Sequence, residues 1–128
     1  MNDTTDQEYP DEPLDLSQYP YLEASDALVI AASDGNGRLV DHLLESGHDI
    51  NIRDEDGRTA LFKAIYETYY ALAIFLLERG ADPNVPDNEG DTPLDIAKYS
   101  HLYRHIKVTE MVDALIKSGG TCKEGPSA

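Results

Sequence analysis

Residues 51–64 read NIRDEDGRTALFKA, and residues 84–97 read NVPDNEGDTPLDIA, so Asn, Asp, Gly, Thr, Leu and Ala recur at a spacing of 33. The segment before each copy recurs as well, as LLESGHDIN at 43–51 and LLERGADPN at 76–84. A fixed period of this length is typical of stacked structural repeats. Such repeats usually build extended binding surfaces, so the period bears on function as well as on fold.

The pattern resembles the ankyrin repeat, whose unit has a turn ending in Gly, a Thr-Pro-Leu helix start, a Leu-Leu-Glu second helix and a Gly-Ala-Asp-x-Asn ending. The resemblance covers about residues 26–120. It implies an all-α fold, a solenoid of three helix-turn-helix units with short β-turn loops. The expected parts are an acidic N-terminal arm at 1–25, repeats at about 26–51, 52–84 and 85–120, and a C-terminal tail at 121–128.

Two departures from the family pattern stand out. Thr68 occupies the position between the helices of the second unit where the family usually has Gly. The third unit is longer, because Gly80 and Gly119 are 39 residues apart. We therefore expect an insertion between the helices of this unit, near 101–107.

Helix ends are marked in the sequence. Thr59 and Thr92 are suited to cap a helix through their hydroxyls, and Pro93 suits a first helical position. Gly47, Gly80 and Gly119 are suited to the left-handed conformation that ends a helix. Apolar residues recur at helical spacing before each of these glycines, whereas polar residues line one face of the last helix, as a terminal repeat requires.

The apolar residues just before the first unit form a further pattern. We expect them to pack over the exposed side of the first helix pair; they are Leu14, Leu16, Tyr19, Tyr21 and Leu22. The composition of the segment leaves a disordered tail as the alternative.

Charge and composition bound the function. The net charge is −15, and residues 1–25 hold seven acids and no Lys or Arg. This charge disfavours nucleic-acid binding, which needs clustered cations, and favours a basic protein partner. Solubility alone is the alternative reason for the acidity. A single cysteine, no apolar run of membrane length and no signal-peptide pattern favour a cytoplasmic protein.

No residue pattern predicts a catalytic or metal-binding site. His101 and His105 are four residues apart, but no further ligand completes a zinc site. The acids after Asp82 fail the EF-hand spacing and read better as turns. Cys122 lies in a polar tail without a positioned His. We expect no buried carboxylate, so nothing indicates a carboxyl group with a raised pKa. We therefore expect no enzyme, no metal and no cofactor.

The resemblance implies that turn tips and the exposed positions of the first helices contact a partner. Transferred position by position, and extended to tyrosines near the helix ends, these are Ser33, Asp34, Glu55, Asp56, Arg58, Tyr66, Glu67, Tyr69, Tyr70, Asn88, Glu89, Asp91, Tyr99, Ser100 and Tyr103. Acid with tyrosine suits a partner rich in Lys and Arg. Alternatively, some of these rings only cover the place of the missing Gly at Thr68.

We therefore interpret the chain as a non-catalytic protein-binding module, a monomer or one half of a 1:1 heterodimer. The sharpest hypothesis is a dedicated inhibitor of a basic protein, of the immunity or antitoxin type that neutralises a toxin such as a nuclease. The alternative is an adaptor or regulatory subunit that binds an endogenous enzyme or transcription factor without inhibiting it.

Overall fold

The computed structural model describes residues 15–100 and 106–120, apart from the side chains of Tyr21, Glu23, Ser100 and 106–109. Within these ranges the chain forms six α-helices and no β-strand. The helices are α1 (Ala27–Ser33), α2 (Gly37–Glu45), α3 (Ala60–Tyr66), α4 (Tyr70–Glu78), α5 (Pro93–Ser100) and α6 (Ile106–Lys117). Two short 3-10 turns, Leu16–Gln18 and Pro20–Glu23, precede α1. The predicted all-α class is confirmed.

The helices pair along the chain and the pairs stack. Helix α1 packs on α2, α3 on α4, and α5 on α6, while α3 also contacts both α1 and α5, and α4 contacts α6. Ala31, Ala64 and Ala97, one in each pair, are fully buried, and their small size lets the first helices approach closely. Helices this short are marginal alone in water, so their stability comes from this stacking.

The predicted helix starts form as the sequence indicates. The Thr59 hydroxyl accepts a hydrogen bond from the Phe62 N–H at 3.2 Å. Thr92 and Asp95 bond reciprocally, because the Thr92 N–H donates to Asp95 Oδ2 at 2.8 Å and the Asp95 N–H donates to Thr92 Oγ1 at 3.3 Å. Both arrangements satisfy backbone donors that a helix start leaves without an intrahelical partner.

The predicted helix ends form too. Gly47, Gly80 and Gly119 have φ of 99°, 95° and 95°, the left-handed conformation that glycine adopts without a steric penalty. At the end of the stack, α6 begins at Ile106. The last two residues of the segment expected as an insertion, 106 and 107, are therefore helical, and residues 101–105 lie outside the described part.

Two complete turns lie between the repeats, and we call each of them a finger. A backbone hydrogen bond joins the first and last residues of each finger. In the first finger, Asp54–Arg58, the Asp54 N–H donates to the Arg58 carbonyl at 3.0 Å. In the second finger, Asp87–Asp91, the equivalent bond is 2.9 Å long. The first aspartate of each finger accepts two further N–H groups from its own turn, each at 2.9 Å.

The expectation of no buried carboxylate is wrong. Asp87 is 4% exposed and Asp95 is 7% exposed. Both are buried because the chain supplies hydrogen-bond donors to them, from the finger backbone in one case and from Thr92 in the other. These hydrogen bonds offset part of the cost of burying polar atoms.

Residues before α1 lie against the first helix pair. Tyr19 and Leu22 pack against the hydrophobic core, and the Asn36 amide donates to the Tyr19 hydroxyl at 3.1 Å. Leu16 is 36% exposed and contributes less. Of the five residues expected to pack here, Leu14 and the Tyr21 side chain lie outside the described part.

Candidate protein-binding surface

The tips of the two fingers carry exposed acids. Glu55 and Asp56 lie at the tip of the first finger and Glu89 at the tip of the second, and all three are exposed. Asn88 bridges the fingers, because its N–H donates to the Asp56 carbonyl at 2.9 Å and its side-chain amide donates to the Glu55 carbonyl at 2.8 Å. The bridge fixes the backbone that carries Glu55, Asp56 and Glu89. We call these three residues the acidic tips.

Contact between the fingers is close at Gly57. A Cβ added to this glycine would lie 2.5 Å from Asn88 Oδ1 and 2.9 Å from the Asn88 nitrogen. The Arg53 side chain spans the same junction, since it donates to the Gly57 carbonyl at 3.1 Å and to the Pro86 carbonyl at 3.3 Å. The fingers therefore present their tips as one unit.

Arg58 turns inward from the first finger. Its Nε donates to Asp87 Oδ2 at 3.3 Å, and its guanidinium carbon lies 5.1 Å from the ring centroids of both Phe62 and Tyr66. These distances are in the range of cation–π contacts. Arg58 is half-buried and bound within the chain, so it organises the surface more than it offers charge to a partner.

Among the described side chains, three tyrosines provide the exposed aromatic area. Tyr66, Tyr69 and Tyr99 are 51%, 40% and 57% exposed. The Tyr66 ring already has two cations of its own chain nearby, Arg58 and the Lys63 ammonium, which lies 5.4 Å from the ring centroid. The surface beside Tyr66 therefore carries positive charge of the chain's own.

Tyr69 and Tyr70 are adjacent in sequence, but they differ in burial. The Tyr69 ring covers Gly35 in the preceding repeat, where an added Cβ would lie 2.8 Å from a ring carbon. Tyr70 is only 6% exposed and belongs to the hydrophobic core. The expectation of Tyr70 at a partner-contacting surface is therefore corrected, because the first turn of α4 directs it inward.

The other candidate positions differ in exposure. Asp34 and Glu67, which follow α1 and α3, are exposed, while Ser33 and Asp91 are half-buried. The Ser100 side chain and Tyr103 lie outside the described part of the chain. The sequence-derived set is thus brought together as two neighbouring areas, the acidic tips and the exposed ends of the first helices.

Two residues that matter for the surface were missed by sequence reasoning, Asp87 and Lys63. Asp87 holds Arg58, and Lys63 lies beside Tyr66. Spacing carried a signal for the second contact, because residues three apart on a helix share a face. The signal for Asp87 was weaker, since its pairing with Arg58 joins two different fingers.

The carboxylates of Asp87, Glu89 and Asp91 lie within 4.8 Å of one another. Asp87 accounts for this grouping, because its Oδ1 accepts the N–H groups of Glu89 and Asp91 and its Oδ2 accepts Arg58. The cluster is explained by the folding of the turn.

Comparison with known proteins identifies the class. The family model for ankyrin repeats (3 copies) matches residues 28–124, and the chain belongs to this family. Ankyrin repeats form protein–protein interaction modules and are generally non-catalytic. A search of curated proteins found no match.

Among solved structures, the chain is similar to an ankyrin repeat domain from Acinetobacter baumannii AYE, with 31% sequence identity and a TM-score of 0.65. The match covers 74% of this chain and 48% of that protein, so the chain spans about half the length of this relative. No helix in the described ranges has the length and apolar character needed to cross a membrane.

Proposed function

We propose that this ankyrin protein is a dedicated binder and inhibitor of a basic partner protein, of the immunity or antitoxin type that neutralises a toxin such as a nuclease. The observation that carries the proposal is the acidic tips, three exposed carboxylates on two fingers that are joined by hydrogen bonds. The proposal includes a cytoplasmic location and a monomer or a 1:1 heterodimer with the partner.

Fixed tips favour binding of a basic surface. The hydrogen bonds of Asn88 and of the two turn aspartates hold the finger backbone before any partner arrives. Less conformational freedom is then lost on association, which improves affinity. Complementary charge also speeds encounter with a basic partner, and the net charge of −15 opposes association of the chain with itself.

The exposed tyrosines supply the second requirement of an interface, which is area removed from water. Tyr66, Tyr69 and Tyr99 each combine an apolar ring with a polar tip, and tyrosine is enriched among residues that dominate binding energy. The tips thus attract and orient a partner, and the rings supply buried contact.

The test compares two triple variants with the same change in charge. One reverses the acidic tips through Glu55→Lys, Asp56→Lys and Glu89→Lys. The matched control reverses exposed acids of the second helices through Glu78→Lys, Glu110→Lys and Asp113→Lys. Asp41 and Glu45 are avoided in the control, because Arg79 binds them at 2.8 and 3.1 Å.

Wild-type protein and both variants are used to capture proteins from the source cells. We expect one basic protein to bind the wild type in near-equal amount, to bind the control and to be lost with the tip variant. Its association rate should fall as salt rises, because screening weakens long-range attraction. Equal loss with both variants would show that total charge, not the tips, controls binding.

Inhibition is tested on the captured protein. An inhibitor abolishes the activity of its target at a 1:1 ratio, and the tip variant fails to do so. Tip-dependent binding without loss of activity would contradict inhibition and favour the adaptor or regulatory subunit.

A further inference from the structure

Lys63 is a half-buried cation in the last turn of α3, the middle one of the three first helices. Its ammonium lies 5.4 Å from the centroid of the Tyr66 ring. Within residues 15–100 and 106–120, no acid forms an ion pair with this ammonium and no oxygen accepts a hydrogen bond from it. An ammonium has three N–H donors, and a contact with a ring face does not give them an oxygen acceptor.

The other cation beside Tyr66 already has an acid in contact with it. The guanidinium carbon of Arg58 lies 5.1 Å from the Tyr66 ring centroid, and its Nε donates to Asp87 Oδ2 at 3.3 Å. Glu67 follows Lys63 by four residues and is exposed, but the two side chains form no ion pair. Lys63 therefore adds one positive charge without a contacting acid beside a ring that is 51% exposed.

The equivalent positions of the other two repeats carry no charge. Ile30 of α1 and Ile96 of α5 stand 33 residues before and after Lys63, and both are half-buried. Partial burial of an ammonium without an acid partner costs free energy, whereas partial burial of isoleucine does not. Two of the three repeats thus form with an apolar residue here, which indicates that the lysine serves a contact outside the chain.

Charges alternate in sign along the second repeat. Glu55 and Asp56 lie exposed in the first finger, Lys63 lies on α3, and Glu67 follows the end of α3. The surface that complements this order has a negative charge with positive charges on both sides of it. Such a pattern fixes the register of a partner more narrowly than attraction between net charges does.

We infer that the second repeat receives a carboxylate of the basic partner, an Asp or Glu side chain that pairs with the Lys63 ammonium beside the Tyr66 ring. The inference rests on the proposed function, because it places this carboxylate within the partner's basic face. It adds a residue of opposite charge that distinguishes the partner from proteins whose surface is basic throughout.

The decisive variants change the charge of residue 63 in the direction that favours general attraction. Lys63→Met removes the ammonium and keeps a long side chain, and Lys63→Glu reverses the charge. Both make the chain more acidic, so a partner face that is basic throughout should associate with them faster. We expect the opposite, a loss of affinity of about tenfold or more, which corresponds to a hydrogen bond between charged groups.

The matched controls are Lys117→Met and Lys117→Glu, with the same changes in charge at an exposed site of α6. They should bind as tightly as the wild type or more tightly. Urea unfolding checks that all four variants are folded. Lys63→Met should be at least as stable as the wild type, because the equivalent positions in α1 and α5 hold apolar residues.

The first readout uses a defined probe, the blocked peptide Lys-Gly-Glu-Gly-Lys, with Lys-Gly-Gln-Gly-Lys beside it. The ε-methylene signals of Lys63 and the ring signals of Tyr66 are followed by NMR at low salt. General attraction favours the Gln peptide, which has one more positive charge. We expect the Glu peptide to shift both residues more, and this difference at Tyr66 to vanish in Lys63→Met. Equal shifts, or larger shifts with the Gln peptide, overturn the inference.

The second readout uses the partner captured with the wild type. A carbodiimide joins an amine to a carboxylate where the two groups are in contact, and mass spectrometry identifies the joined peptides. We expect Lys63, and not Lys117, to be joined to an Asp or Glu of the partner. If no such link forms and the Lys63 variants bind as the wild type does or better, while reversal of the acidic tips weakens binding, the inference fails and the proposed function stands. If neither set of variants changes affinity, both fail.

Discussion

At the scale of single residues, Thr68 shows how the fold imposes a conformation on an unsuited residue. Thr68 has φ of 69° and Gly35, its equivalent 33 residues earlier, has φ of 72°. The same hydrogen-bonded turn forms at both, since the next N–H donates to a carbonyl five residues back at 2.7 Å in one and 3.0 Å in the other. The left-handed conformation is costly for a β-branched residue.

We therefore predict that Thr68→Gly stabilises the protein. Relief of the left-handed conformation is worth roughly 1–2 kcal/mol. Glycine has more conformational freedom than threonine in the unfolded chain, which offsets roughly 0.5–1 kcal/mol of this gain. The expected net gain is about 0.5–1 kcal/mol in the free energy of unfolding, measured with urea. A Thr68→Ala variant, which keeps a Cβ, should gain much less, and equal gains would contradict the argument.

At Gly35 we predict the opposite effect, a loss of stability on substitution. Gly35→Ala forces a Cβ toward the Tyr69 ring, 2.8 Å away, and adds the penalty of a left-handed non-glycine residue. We expect a loss of about 1–3 kcal/mol in the free energy of unfolding. Repeating the substitution in a Tyr69→Ala background separates the two causes. The loss should shrink there, and an unchanged loss would assign it to the backbone alone.

At the scale of elements, the two fingers share a backbone pattern but differ in burial. Asp54 and Asp87 each accept two N–H groups of their own turn. Only Asp87 also receives Arg58, and its side chain is 1% exposed. The second finger thereby joins the repeats, because the ion pair crosses from one finger to the next.

This difference predicts unequal effects of equivalent substitutions. Asp54→Ala should cost about 1–2 kcal/mol, because it leaves turn N–H groups without their acceptor. Asp87→Ala should cost about 3 kcal/mol or more, because it also leaves the half-buried Arg58 without its carboxylate. Urea unfolding of both variants measures the difference. In an Arg58→Ala background the excess should vanish, and its persistence would refute the role given to the ion pair.

At the scale of the whole molecule, the middle of the stack has the most packing partners. Helix α3 contacts α1, α4 and α5, whereas α1 and α5 each lie toward one end. Leu61, Phe62 and Ile65 of α3 are fully buried. In a repeat protein each unit is stabilised by its neighbours, so the unit with two neighbours opens least often.

We predict that backbone amides of α3 exchange most slowly with deuterium in the native protein. Amides of α1 and α5 should exchange faster through opening of the end repeats. Hydrogen exchange followed by mass spectrometry measures this order. Phe62→Ala should accelerate exchange in all three repeats, whereas the exposed control Tyr66→Leu should leave the order unchanged. Slowest exchange in α5 would count against the central position of α3.

Prediction from sequence succeeded where one short segment determines its own geometry. The capping by Thr59 and Thr92 and the left-handed Gly47, Gly80 and Gly119 follow from local hydrogen bonding and glycine stereochemistry. It failed for Tyr70 and Asp87, whose burial depends on contacts with other parts of the chain. The partner-contacting role of the remaining candidate residues stays a prediction.

By itself, the sequence determined the repeat, its period, the helix pairs and their ends, because the second and third repeats each carry their own turn, cap and apolar face. Only the tertiary structure decided which acids are exposed at the tips and which are buried, and which tyrosines already have a cation of the chain beside them. The physical reason is that burial and pairing of charge arise between stacked repeats. Arg58 meets Asp87, and Tyr69 meets Gly35, only after the repeats have stacked.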